Sequence, residues 1–264
     1  MGKQLKEDMS SLTPIVIEYP LLTEMTFQSF VSGSSNQLAY DVCLEFAKNH
    51  AQKYNPLVIY GPAGCGKSHL QNAIGNYLIE NGIFKRDETY NVSAERFVTT
   101  LSRAIQDNNV QEFRNYYRSK KIILMDMINF MTGKPKPQKE LYYLFNFFYD
   151  NMRPMVFTCD THPRDLEDFD QFLKSRFERG GIAEIAPPEM ETRIRVINIM
   201  VKQEHIDLPD EAIRFIQSNI TGSVRALQGF IVRLDAYVRL HNTSVTLSLV
   251  DKLISEHKMA YGDA

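Results

Sequence analysis

Gly61-Pro62-Ala63-Gly64-Cys65-Gly66-Lys67-Ser68 is the stretch of this chain best suited to chemistry. Its eight-residue spacing is that of a phosphate-binding loop. The glycines let backbone N–H groups turn inward, and a helix beginning near Lys67 points the positive end of its dipole at the same spot. In such a loop Lys67 reaches the β- and γ-phosphates and the Ser68 hydroxyl holds Mg²⁺. Asp126 ends an apolar run far enough downstream to hold the same ion from the opposite side. Asp160 ends the next apolar run and stands where it could meet a γ-phosphate or its attacking water. The residue after Asp126 is Met127, which can do no proton chemistry, so at most slow hydrolysis is expected. Cys65 sits beside a helix N-terminus, where a residue ordinarily fills space; the alternative is a thiol alkylated readily without nucleotide and shielded by ATP. The six histidines are scattered without ligand spacing.

The elements that must position these residues follow from periodicity. Leu57–Tyr60, 88–92, 120–126, 155–158 and 183–185 read as buried strands, with helices between them. That alternation predicts a parallel five-stranded sheet covered on both faces. Helices are expected from about Asn36, with Ala39, Cys43, Phe46 and Ala47 on its apolar face, and over 67–80, from the Ser93 cap to about 105, 110–117 and 138–151. A polar loop containing Gly133, Pro135 and Pro137 precedes the last of these. After Pro187-Pro188 only helices follow, at about 189–204, 209–219, 222–240 and 245–258, which predicts a small all-α domain. In the third, Val224, Leu227, Phe230 or Ile231, Leu234 and Val238 form the apolar face. Residues 1–26 read as an extended arm.

Composition narrows the partners. A net charge of −2 gives no whole-chain nucleic-acid signature, so any such contact must be a local patch. Residues 95–139 supply one, with nine basic residues against four acids and Phe113, Tyr116 and Tyr117 interleaved. The mixture suits single-stranded nucleic acid, although Phe113 and Tyr117 are also spaced for core packing. Three widely spaced cysteines and no apolar run of membrane-spanning length point to a cytoplasmic protein.

Several stretches together resemble the AAA+ module of the DnaA family of bacterial replication initiators, from Thr26 onward. They are Phe27-Gln28-Ser29-Phe30-Val31-Ser32-Gly33, Tyr54-Asn55-Pro56-Leu57, Ser68-His69-Leu70, Glu95-Arg96-Phe97-Val98 and Glu112-Phe113-Arg114-Asn115-Tyr116-Tyr117-Arg118-Ser119. Leu173-Lys174-Ser175-Arg176-Phe177-Glu178, Pro187-Pro188-Glu189-Met190-Glu191-Thr192-Arg193 and Val224-Arg225-Ala226-Leu227-Gln228-Gly229 complete the set. The resemblance implies an AAA+ domain over 27–187, an initiator-type helical insertion at about 94–119 and a helical lid over 188–264. It implies an ATP/ADP switch that self-assembles or joins the initiator, with Asp160 as sensor 1, Arg176 as an arginine finger and Arg225 as the lid arginine. Phe30, Gly33, Tyr54 and His69 join the loop as nucleotide contacts, and Ser102, Arg103, Arg118 and Lys136 become candidates for single-stranded DNA.

Departures from the pattern are Met127 for the second strand-end acid, Arg179 for a tryptophan and Gly181 for a leucine. The resemblance stops short of the helix-turn-helix domain that reads double-stranded origin boxes. A partial initiator and a short Hda-type regulator without DNA contact both fit that pattern. Such regulators begin with a clamp-binding motif. Gln4-Leu5 is followed here by Lys6-Glu7-Asp8, so sliding-clamp binding is not expected. The remaining alternative, a monomeric phosphate-loop kinase, needs a phosphoryl-acceptor site rather than an arginine facing another subunit.

Overall fold

A computed structural model describes residues 20–220 and 223–261. The first nineteen residues of the expected arm, with Gln4-Leu5, lie outside the described residues. Five parallel strands form the sheet: β1 (Leu57–Tyr60), β2 (Thr89–Ser93), β3 (Ile122–Asp126), β4 (Met155–Cys159) and β5 (Gly181–Glu184). Their spatial order is β2-β3-β4-β1-β5. Successive residues of each strand point to opposite faces, so the sheet has two cores. Val58, Val92, Ile123, Met125 and Phe157 face one side. Leu57, Ile59, Leu124, Val156 and Ala183 face the other.

Helices α1 (Gln37–Lys48) and α2 (Lys67–Glu80) cover the second face, and Ala39, Cys43, Phe46 and Ala47 of α1 are wholly buried there as the spacing predicts. On the first face lie α3 (Ala94–Gln106), α4 (Val110–Ser119) and α5 (Pro135–Asp150). Ser93 caps α3 by accepting from the Arg96 N–H at 3.2 Å. The α5 helix begins three residues before the predicted start. Its prolines fall in the first turn, where a missing N–H costs no helical bond. The short helix α6 (Gln171–Phe177) leads into β5.

The all-α region consists of α7 (Met190–Gln203), α8 (Asp210–Asn219), α9 (Val224–His241) and α10 (Leu247–Tyr261). Leu227, Phe230, Ile231 and Leu234 of α9 enter a core of their own, so both alternatives at 230 and 231 are buried. Val224 and Val238 are only half-buried. The described end of the arm docks along α2: Leu22 N–H donates to Asn72 Oδ1 at 2.9 Å, and Asn76 Nδ2 donates to the Leu22 and Met25 carbonyls. No helix among the described residues is long and apolar enough to cross a membrane.

Candidate nucleotide-binding site

The loop between β1 and α2 depends on backbone shapes that side chains resist. Gly64 and Gly66 have φ of +72° and +113°, and Gly66 is the N-cap of α2. A Cβ on Gly64 would stand 2.5 Å from Ser223 Oγ, and one on Gly66 would stand 2.9 Å from the Phe30 ring. The cradle is thus tight as well as left-handed. Pro62 and Ala63 form its exposed outer turn. Lys67 is only 5% exposed, and its ammonium is held by the Gly61 carbonyl at 2.7 Å, the Pro62 carbonyl at 2.9 Å and Asp160 Oδ1 at 2.9 Å.

The strand ends assemble a second centre beside the loop. Ser68 Oγ donates to Asp126 Oδ2 at 2.8 Å, while Thr158 Oγ1 donates to Asp126 Oδ1. Thr158 also accepts the Met127 N–H at 2.8 Å. Asn129 Nδ2 donates to Asp160 Oδ2 at 2.9 Å. Asp126 on β3 and Asp160 just past β4 are therefore steered by Thr158 and Asn129, two residues that motif reading passed over. A polar residue one or two positions before a strand-end acid was the available signal for Thr158. Met127 adopts a left-handed φ of 59° and is 44% exposed. The loop has no room for a Cβ at Gly64 or Gly66, and a hydroxyl paired with a carboxylate is a hard-oxygen donor set. Both fit a Mg²⁺-nucleotide.

Phe30 and His69 form one wall, with ring centroids 5.3 Å apart and nearly perpendicular planes. Burial pushes the His69 pKa down, opposed by its contact with the Thr26 carbonyl at 2.9 Å. Gly33 lies farther along the same loop, where a Cβ would collide with Thr192 and Glu189 of the helical domain. Arg225, at the start of α9, lines a cleft of about 690 Å³ together with Ser68, Asp126, Arg96 and Arg103. The helical domain reaches the loop directly, because Ser223 and the Arg225 Cβ stand against Gly64.

Three expectations need correction. Tyr54 is at the opposite end of the strands: it precedes β1, and its carbonyl accepts the Gly181 N–H at 3.0 Å. A four-residue strand separates it from the phosphate loop, roughly 13 Å at 3.3 Å per residue. Cys65 is 5% exposed and burial pushes its thiol pKa up, with Lys67 opposing, which runs against ready alkylation. Phe113 and Tyr117 are buried against Phe97, which withdraws both rings from base stacking.

Arg176 lies on α6 and turns toward α5, with its guanidinium 4.9 Å from the Tyr142 ring centre and Nη2 donating to the Tyr142 hydroxyl at 3.3 Å. Its Nε is buried without a partner. Ser102 and Arg103 are exposed on α3, and Lys136 is exposed in the first turn of α5. Arg118 lies away from Lys136. It stacks 5.2 Å from the Phe147 ring centre, near the far end of α5. Eleven residues separate Phe147 from Lys136, roughly 16 Å along the helix. Arg114 pairs with Glu140 through Nε at 2.9 Å, and Lys120 is buried with its ammonium on the Asp87 carbonyl at 2.9 Å. Much of the basic stretch therefore serves the fold.

With the phosphate loop after the strand flanked by β4 and β5, acids at the ends of β3 and β4, and an all-α region against the loop, the chain has the AAA+ architecture. Thermotoga maritima RuvB shares that fold at 16% identity, with a TM-score of 0.65 over 91% of this chain and 74% of its own. The family model described as bacterial DnaA ATPase domain matches residues 21–184. The chain belongs to the DnaA family. It is 38% identical over 231 residues to the chromosomal replication initiator DnaA of Geotalea uraniireducens, covering 88% of this chain and 51% of that one. It therefore spans about half the length of that relative. Domain III of Thermotoga maritima DnaA superposes with a TM-score of 0.85 at 35% identity, covering 90% of this chain and 98% of that one. A replication initiator DnaA bound to AMPPCP and single-stranded DNA superposes with a TM-score of 0.73 at 32% identity, over 83% of this chain and 66% of that one.

Proposed function

We propose that this chain is the ATP-responsive switch module of a chromosomal replication initiator, assembling with further copies and contacting single-stranded DNA. The observation that carries the reading is the contact of Ser223 and Arg225 with Gly64, which lets one domain register what the other holds. Gly61 to Ser68 would cradle the phosphates, Lys67 would leave its carbonyl partners for the β- and γ-phosphates, and Ser68 and Asp126 would hold Mg²⁺. ATP, when bound with Mg²⁺, supplies the γ-phosphate charge that separates the two states of the switch. Arg225 would meet that charge from the lid and Arg176 from a neighbouring copy. Asp160, freed from Lys67, would remain oriented by Asn129.

Met127 offers no acid or base where a water would be polarised, so turnover is slow and the bound state persists. Ser102, Arg103 and Lys136 form the proposed DNA-facing set. Initiators among the relatives favour this reading over a short regulator without DNA contact. Filter binding to single- and double-stranded oligonucleotides across salt concentrations tests it. Single-strand binding that needs ATP and falls with salt supports the proposal, and no binding at any salt refutes its DNA part.

A further inference from the structure

The loop that carries Phe30 and Gly33 is held by the lid as well as by its own domain. Glu189, the residue before α7, accepts the Ser34 N–H at 3.0 Å on Oε1 and the Ser35 N–H at 3.4 Å on Oε2. Thr192 Oγ1 donates to Glu189 Oε1 at 2.7 Å, which orients the carboxylate. Arg195 Nη2 donates to the Ser32 carbonyl at 2.7 Å and to Thr192 Oγ1 at 3.1 Å. From the sheet domain, the Ala186 N–H donates to the Ser35 carbonyl at 3.1 Å. Hydrogen bonds from the Thr192 hydroxyl first, then from Ser35, its own backbone and Ser34, hold Glu189 well below its ordinary range, at about 2, so it is ionised across the working pH range.

The loop is stiff enough to pass on what it feels. Asn36 accepts the Gly33 N–H at 2.7 Å and donates to the Val31 carbonyl at 3.1 Å, bridging its two limbs with a side chain that is 5% exposed. At its other end Phe30 packs edge-on against His69 and over Gly66, the N-cap of α2. A continuous path therefore runs from α7 through Glu189 and the loop to the helix that begins the phosphate site. Any swing of α7 away from the sheet domain must pull Ser34 and Ser35 or break both N–H bonds to one carboxylate.

We propose that Glu189 is a positioning residue for nucleotide retention: its carboxylate latches the lid to the Phe30–Gly33 wall, and opening of this latch gates nucleotide release. The inference rests on the reading of Gly61–Ser68 as a nucleotide site. Two perturbations act on the latch from opposite sides. Glu189→Gln keeps the shape but turns an amide donor toward one of the two N–H groups. Gly33→Ala leaves the carboxylate intact but adds a Cβ 1.9 Å from Thr192 Oγ1 and 2.5 Å from Glu189 Oε1.

The experiment measures release of a fluorescent N-methylanthraniloyl ADP from the full chain by stopped-flow chase, with amide hydrogen exchange on the same proteins. Both variants should release nucleotide about tenfold faster or more, the effect of losing one charge-assisted hydrogen bond. Glu189→Asp, which retains the charge, should fall between them and the parent. Exchange should accelerate at Ser34 and Ser35 while the α2 amides keep their protection, an outcome that general destabilisation would not give. Unchanged release in folded Glu189→Gln and Gly33→Ala overturns the latch. A parent protein that binds no labelled nucleotide overturns the site reading instead.

Discussion

Replacing Thr158 by valine removes one oxygen from the junction of the two strand-end acids and leaves the volume nearly unchanged. The hydroxyl is wholly buried and does two jobs, donating to Asp126 Oδ1 and accepting the Met127 N–H at 2.8 Å. A hydrogen bond to an ionised carboxylate contributes about 1.5–3 kcal/mol, and an N–H stranded without a partner costs about 1–3 kcal/mol. Asp126 keeps its bond from Ser68 and some access to water, so the lower end of each range applies and the sum is about 2–3 kcal/mol. For a chain of this size that corresponds to a fall in Tm of roughly 4–12 °C. The same change frees one Asp126 oxygen to rotate and should weaken Mg²⁺-dependent nucleotide binding about tenfold, while binding without Mg²⁺ changes little. Differential scanning calorimetry and nucleotide titration with and without Mg²⁺ read the two effects. A Thr158→Val protein with parental Tm and parental Mg²⁺ dependence would refute the claim that Thr158 positions the acid.

Three other outcomes follow from the same geometry. Cys65 should react slowly with iodoacetamide near pH 7, because burial raises its folded-state pKa; the rate should climb with pH as the thiolate forms, and fast labelling at pH 7 would contradict this. Lys136→Ala should lower single-strand affinity and reduce the salt slope by about one ion, whereas Arg118→Ala should affect Tm more than DNA binding, since it stacks on Phe147. Met127→Asp should leave ATP turnover equal to or faster than the parent's, and a marked slowing in a phosphate-release assay would show that the methionine has a role of its own.

Legibility in the sequence tracked how local each determinant is. The phosphate loop, the strand-end acids and the α1 core face are set by spacing within one element, and their places could be read directly. Pro135 and Pro137 read as loop in the sequence because proline breaks helix interiors, yet the first turn tolerates it. Tyr54 abuts β1 in sequence, yet the length of that strand holds it at the opposite end from the phosphate loop. Arg118 and Lys136 looked like neighbours in one basic stretch until α5 separated them. Thr158, Asn129 and Glu189 owe their roles to partners 32, 31 and 155 residues away, and no periodicity reports such pairings.

The central claim is that the bound nucleotide is a signal read by the lid and by a second copy. Molar mass by light scattering, without nucleotide, with ADP and with ATP, for the parent and for Arg176→Ala, tests it most directly. The account predicts a larger species with ATP alone, lost in Arg176→Ala while nucleotide binding is retained. One mass under all three conditions, with nucleotide demonstrably bound, would contradict it.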